Sequence, residues 1–231
     1  MSAVKSPWLA AFGIVAVVHL VLIGVDVQPY QSISKCFLAP LLIAWVIEQR
    51  GPKLLVAALV GCFFGDLFLE FEDLFTAGMA AFAIAHICFI TFFVQRGALD
   101  RLKRQPWIIV IGLAAGIGLI AWAWGGLEPG LKPLVPVYAL LLLGTASTAL
   151  ATDVRAGIGG IMFLVSDGII ALNEAGRIGD GVGTSLAIMV LYILAIFFLT
   201  TAIVFREKRT IAAGPGFDPT VRTDCWPRLP Q

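Results

Sequence analysis

Residues 160–174 read GIMFLVSDGIIALNE. The run is long and apolar enough to sit in a membrane-spanning helix, yet it holds an aspartate, Asp167. A carboxylate at membrane depth costs at least about 2.5 kcal/mol, and such groups are normally turned to a bundle interior where they act. Residues 61–70, GCFFGDLFLE, repeat the pattern with Asp66 after a small residue. The expectation is a scaffold that brings these two aspartates together.

Composition agrees. The chain is 59% hydrophobic and 13% charged, and its mean hydropathy is +0.95. A soluble domain carries about 25% charged residues. The apolar runs are continuous rather than alternating, which points to helices and away from a transmembrane barrel. The fold class expected is all-α, a polytopic membrane bundle. Eight helices are expected, near 8–25, 32–47, 54–71, 76–94, 107–124, 134–151, 156–173 and 183–205. The second contains Pro40, which can kink it. Residues 1–205 then form the transmembrane domain and 206–231 a flexible cytoplasmic tail, basic at its root and rich in proline and glycine beyond.

Charge gives an orientation. With eight crossings, Lys5, Arg50, Lys53, Arg96, Arg101, Lys103, Arg104, Arg155, Arg206, Lys208 and Arg209 share one side. Lys132 and Arg177 are in loops of the other side, with Lys35 just inside a helix. The positive-inside rule puts both termini in the cytoplasm and the protein in the plasma membrane. Asp66 and Asp167 then lie roughly 8 to 9 Å below the outer face, at 1.5 Å per helical residue. Lys35, Tyr138, His86, Tyr192 and His19 fall in the same half of the membrane. The expectation is a polar cavity opening outward.

Each residue has a plainer reading. The aspartates could be structural partners of Lys35, and Lys35 could reach out to headgroups. Glu70, one turn from Asp66, reads better as an interfacial charge than as a third acid. His86 could be a hydrogen-bonded core residue, and His19 reads as one. Ser166 and Asn173 share a helix face and could line the cavity. Gly61 and Gly65 suit close helix packing. Asp66 and Asp167 lie 101 residues apart, each after a small residue (Gly65, Ser166), a spacing compatible with a parallel repeat. Cys36, Cys62, Cys88 and Cys225 have no CxxC spacing, so neither a disulfide framework nor a metal site is expected. There is no H-E-x-x-H and no G-x-S-x-G. The net charge of +1 gives no reason to expect nucleic acid.

Several motifs occur in a familiar order. They are Ser34-Lys35 with Ala39-Pro40-Leu41-Leu42, then Gly65-Asp66-Leu67-Phe68-Leu69, then Phe75, Gly78, Phe82 and Ala85-His86. Pro136-Val137-Tyr138-Ala139-Leu140 follows, and last Gly159-Gly160, Phe163-Leu164-Val165-Ser166-Asp167 and Ala171-Leu172-Asn173. From about residue 34 to 205 the chain resembles the YhhN/TMEM86 family of membrane lysoplasmalogenases. It departs at Cys36, at Phe89 and at Gly168-Ile169-Ile170, which bears on substrate identity more than on fold. The resemblance implies eight transmembrane helices and hydrolysis of the vinyl ether bond of a lysoplasmalogen, a lysophospholipid of the membrane. The products would be a fatty aldehyde and a glycerophospho-base, and no cofactor is needed. Such a bond is cleaved by protonating carbon, leaving an oxocarbenium-like cation that water captures. One acid and one carboxylate suffice, as in glycosidases. On this reading Asp66 and Asp167 are the catalytic pair. Lys35 or His86 would hold the phosphate or tune the pair, and Tyr138, Ser166, Asn173 and Tyr192 would line the site. The alternative is a small proton-coupled transporter or lipid-binding protein using the same polar layer. A third possibility is a purely structural scaffold.

Overall fold

Every backbone N–H and C=O must be satisfied within the chain where water is absent, so the apolar runs become helices. The computed structural model describes residues 6–213. Among them are nine α-helices: α1 Pro7–Gly24, α2 Tyr30–Glu48, α3 Lys53–Phe68, α4 Phe75–Val94, α5 Ala98–Arg104, α6 Trp107–Ala123, α7 Leu134–Thr152, α8 Val154–Glu174 and α9 Val182–Ala213. Lys5, Cys225 and the tail beyond 213 lie outside the described residues.

All eight expected segments are helical, and two details differ. A ninth helix, α5, stands almost perpendicular to α6, at 91°. Its seven residues ALDRLKR bury only Ala98 and Leu102. That pattern is too short and too charged to register as a span, and suits a helix lying in an interface plane. Helix α9 continues to Ala213, so residues 206–213, assigned to the tail, are helical.

Six helices (α1, α2, α4, α7, α8, α9) are long and apolar enough to cross a membrane, and the bent α5–α6 pair could make a seventh. The protein is thus an all-helical, multi-pass membrane protein. Starts are conventional. Ser6 caps α1 by accepting from Trp8 N, and Asp153 caps α8 by accepting from the amides of Arg155 and Ala156. Ile14, Val17 and Val21 of α1 and Val110, Ile111 and Ile117 of α6 are exposed, as a lipid-facing surface requires. The interior is aromatic: Trp45, Phe89, Phe92, Phe93 and Phe163 are fully buried. Gly61 and Gly65 let α3 and α4 touch. A Cβ at Gly61 would lie 2.9 Å from the Ala81 carbonyl oxygen, and one at Gly65 would lie 2.5 Å from the Phe82 ring. The GxxxG is a packing device.

The two ends differ in chemistry. At one, Arg96 pairs with Glu207 at 2.6 Å, and Arg101 and Arg206 both donate to the Thr152 carbonyl. Ser6 donates to Glu48 and Lys208 to Gln49 at the same end. The opposite end holds Asp66, Asp167, Lys35, Glu70 and His19.

Candidate functional site

Asp66 lies in the last turn of α3, because that helix stops at Phe68 rather than near 71. It is 2% exposed. Its Oδ2 accepts a hydrogen bond of 2.6 Å from the Tyr192 hydroxyl on α9. Asp167, on α8, accepts from the Tyr138 hydroxyl on α7. Each of the two carboxyl groups therefore has a phenol as its donor. A continuous set of edge-to-face rings joins the two phenols. Tyr192 packs on Phe82 at 5.9 Å and on Phe163 at 5.5 Å. Phe163 packs on His86 at 4.6 Å, and His86 on Tyr138 at 5.7 Å. Quadrupole-matched rings of this kind hold one another in place, so the two aspartates are presented by a rigid aromatic wall.

A polar cavity of about 280 Å³ lies between the α1–α2 junction, the segment after α3, the end of α8 and the start of α9. It is lined by His19, Gln28, Gln31, Lys35, Glu70 and Asn173 among others. Lys35 donates to Glu70 at 2.9 Å, and both side chains are largely buried. Neither aspartate is within ion-pair distance of Lys35, so its structural partner is Glu70. Burial pushes the Glu70 carboxyl up, but the Lys35 charge and hydrogen bonds from Ser32 and Lys35 together hold the group below its ordinary value. An opposite charge within a few ångströms favours the ionised form.

An apolar cleft lies beside it, between α4, α6, α7 and α8. Met79, Leu119, Leu142 and Ala171 line it, and Asp167 and Tyr138 stand on its wall. The cleft and the polar cavity share Leu69, Phe75, Ile170 and Glu174. A second apolar recess, lined by Ala115, Val165 and Ile169, lies against Gly116, Leu119, Leu164 and Gly168 of the same α6–α8 seam. Val165, on the outer flank of that seam, is exposed.

The structure thus brings Lys35 and Asn173 to the polar cavity and Tyr138 and Asp167 to the cleft. Asp66 and Tyr192 form a buried pair that lines neither. His86 is fully buried, with Nδ1 3.0 Å from Thr145 Oγ1, and stands behind Tyr138. Ser166 is also fully buried and donates to the Ile188 carbonyl at 3.0 Å, tying α8 to α9. Sequence reasoning treated His19 as a core residue and did not single out Gln28, Gln31 or Glu174. Gln28 and Gln31 sit at the α1–α2 junction, where only the fold shows that a turn faces a cavity.

A family model, the YhhN family, matches residues 30–203. Lysoplasmalogenase TMEM86B of Homo sapiens is 32% identical over 129 residues, 55% of this chain and 54% of the relative. The Rattus norvegicus protein of the same name is 29% identical over 170 residues, 71% of this chain and 70% of the relative. A lysoplasmalogenase of Mycobacterium tuberculosis is 30% identical over 161 residues, 62% of this chain and 59% of the relative. The chain thus spans about half the length of the human relative. No solved structure matches it.

Proposed function

This chain belongs to the YhhN family, and we propose that it hydrolyses the vinyl ether bond of a lysoplasmalogen to a fatty aldehyde and a glycerophospho-base. One observation carries the reading. A partly exposed carboxyl group, Asp167, lines an apolar cleft that shares Leu69, Phe75, Ile170 and Glu174 with a polar cavity. A lysolipid has the same division: an aliphatic chain, a charged headgroup, and the reactive bond between them. The chain occupies the cleft among α4, α6, α7 and α8. The phosphate lies toward Lys35.

The chemistry follows from the two carboxyl groups. Asp167 delivers its proton to the vinyl carbon farther from the ether oxygen, and the double bond's electron pair forms the new C–H bond. The ether oxygen stabilises the resulting cation, whose charge faces carboxylate rather than water. Water adds to the cationic carbon and returns a proton to a carboxylate. The hemiacetal collapses to aldehyde and glycerol hydroxyl. Asp66, held by Tyr192, supplies the second negative charge behind the cation, and Tyr138 orients Asp167. The division of labour resembles that of paired carboxylates in glycosidases. His86 fixes the Tyr138 ring from behind, and Asn173 and Lys35 face the headgroup.

The same reading includes eight crossings, with α3 and α6 added to the six long spans. It places the basic end in the cytoplasm and the cavity at the outer face of the plasma membrane. The gathering of Arg96, Arg101, Arg206 and Lys208 at one end supports that orientation.

The test is aldehyde release from a lysoplasmalogen by the purified protein, with Asp167→Asn beside it. The expected loss in the variant is at least about 100-fold, the lower end of general acid catalysis. Equal release by both proteins would remove Asp167 from the mechanism. No release by the parent protein over a range of headgroups and chain lengths would remove the reaction.

A further inference from the structure

We infer that His19 reads a free hydroxyl on the lipid in the polar cavity, and so separates a lysolipid from a lipid substituted at the middle glycerol carbon. The inference rests on the lipid-hydrolase reading above. His19 lies near the end of α1, is 2% exposed and lines the polar cavity beside Lys35. Its Nδ1 is 2.8 Å from Ser34 Oγ, and Ser34 Oγ is 2.9 Å from the Gln31 carbonyl oxygen. Its Nε2 is buried and meets no protein hydrogen-bond partner among the described residues.

Two protons decide the ring's form. An oxygen–oxygen contact of 2.9 Å with no hydrogen between the atoms is repulsive, so the Ser34 hydroxyl hydrogen lies toward Gln31. The Nδ1···Oγ contact needs its own hydrogen, which the imidazole must supply. The neutral ring then carries its proton on Nδ1 and leaves Nε2 as a bare acceptor. A buried acceptor with no protein partner is costly, so a ligand that brings a donor to Nε2 gains a hydrogen bond there.

The cavity's occupant narrows that donor. A phosphodiester has none, and no protein donor among the described residues, Lys35 included, reaches His19 Nε2. The glycerol of a lysolipid carries one hydroxyl, on the carbon between the ether and the phosphate. With the ether near Asp167 and the phosphate near Lys35, that hydroxyl falls between them and donates to Nε2. An acylated oxygen at this carbon has no hydrogen. It would leave Nε2 unpaired, the situation in which hydrogen-bonding sites discriminate most strongly.

The test uses binding, so that it does not depend on turnover. The probes are a saturated 1-O-alkyl lysophospholipid with a choline headgroup, which has no vinyl ether and no N–H donor, and its 2-deoxy counterpart. Both are titrated into the full chain in nanodiscs. The parent should prefer the hydroxyl lipid by roughly 10- to 100-fold. In His19→Phe the two lipids should bind within about threefold of each other, because the acceptor is gone. Ser34→Ala, which frees the ring to move its proton to Nε2, should lower the preference without removing the ring. Equal affinities in the parent, or an unchanged preference in His19→Phe, would overturn the inference. No saturable binding of either lipid would overturn it together with the lipid-site reading. Hydroxyl-selective binding without vinyl ether turnover would uphold it and overturn the hydrolase. Should the variants fail to fold, the parent still decides. It has only two histidines, so ¹⁵N-histidine spectra assign the tautomers. A ring protonated on Nε2 at His19 would overturn the assignment.

Discussion

Tyr192 donates its phenol hydrogen to Asp66 across 2.6 Å, joining α9 to α3 through a bond buried on every side. Tyr192→Phe keeps the ring against Phe82 and Phe163 and removes only that donor. A hydrogen bond to a charged group contributes about 2 kcal/mol. The expected outcome is a fall in kcat of roughly tenfold or more, with KM for the lysolipid little changed. A variant with parental kcat in aldehyde-release kinetics would show that Asp66 does not depend on this donor for its role.

Tyr138→Phe removes the hydrogen bond to Asp167 on the other side of the aromatic wall. Here the carboxyl group meets the substrate, so the effect on kcat should exceed that of Tyr192→Phe. Parallel kinetics on the two variants check the order. The opposite order would exchange the roles assigned to Asp66 and Asp167.

The Lys35–Glu70 pair gives a pH dependence of stability. The folded Glu70 carboxyl is held below its ordinary value by Lys35 together with a Ser32 hydrogen bond, against the effect of burial. The unfolded state therefore takes up a proton first as pH falls. The stabilisation is present in full above the ordinary glutamate range, near 4.3, and is lost as pH drops through the lower folded value. Glu70→Gln should cost about 1 kcal/mol near neutrality and little in strong acid. Thermal melting of the parent and the variant over that range should show the two curves converging on acidification. A gap independent of pH would assign Glu70 a role other than pairing.

Ala171 stands on the wall of the apolar cleft. Ala171→Phe should fill space that the aliphatic chain needs. Long-chain substrate should lose roughly tenfold in kcat/KM, within the range of apolar pocket discrimination, while a short-chain vinyl ether keeps its rate. Kinetics over a series of chain lengths measures this directly. A loss independent of length would mean that the chain does not lie in this cleft.

Ser166 adjoins Asp167 in sequence but points to the Ile188 carbonyl instead. Ser166→Ala should lower stability by about 1 kcal/mol and leave kcat within about twofold. Melting temperature and turnover, measured on one preparation, separate the two effects. A large fall in kcat at unchanged stability would return Ser166 to the reacting centre.

The sequence was most legible where physics is local. Continuous apolar runs made all eight long helices readable, and the cationic loops sorted themselves to one end. Asp66 and Asp167 stood out because a carboxylate in an apolar run needs a reason. Helix α5 was not legible, since seven charged and apolar residues look like a loop until their packing on α7 is seen. His19 was not legible either: one histidine in an apolar helix looks the same whether both ring nitrogens are satisfied or one is bare.

The chain by itself thus determined a helical, multi-pass membrane protein with two acids set in apolar runs. Hydrophobic length and the cost of an unpaired charge act residue by residue and need no partner to be read. Only the tertiary structure decided which groups meet. It gave Lys35 to Glu70 rather than to an aspartate, Tyr192 to Asp66, and Tyr138 to Asp167. Those pairings depend on how the helices are rotated and how deeply each one sits. Both are set by aromatic and glycine packing between distant segments, which no single stretch of sequence contains.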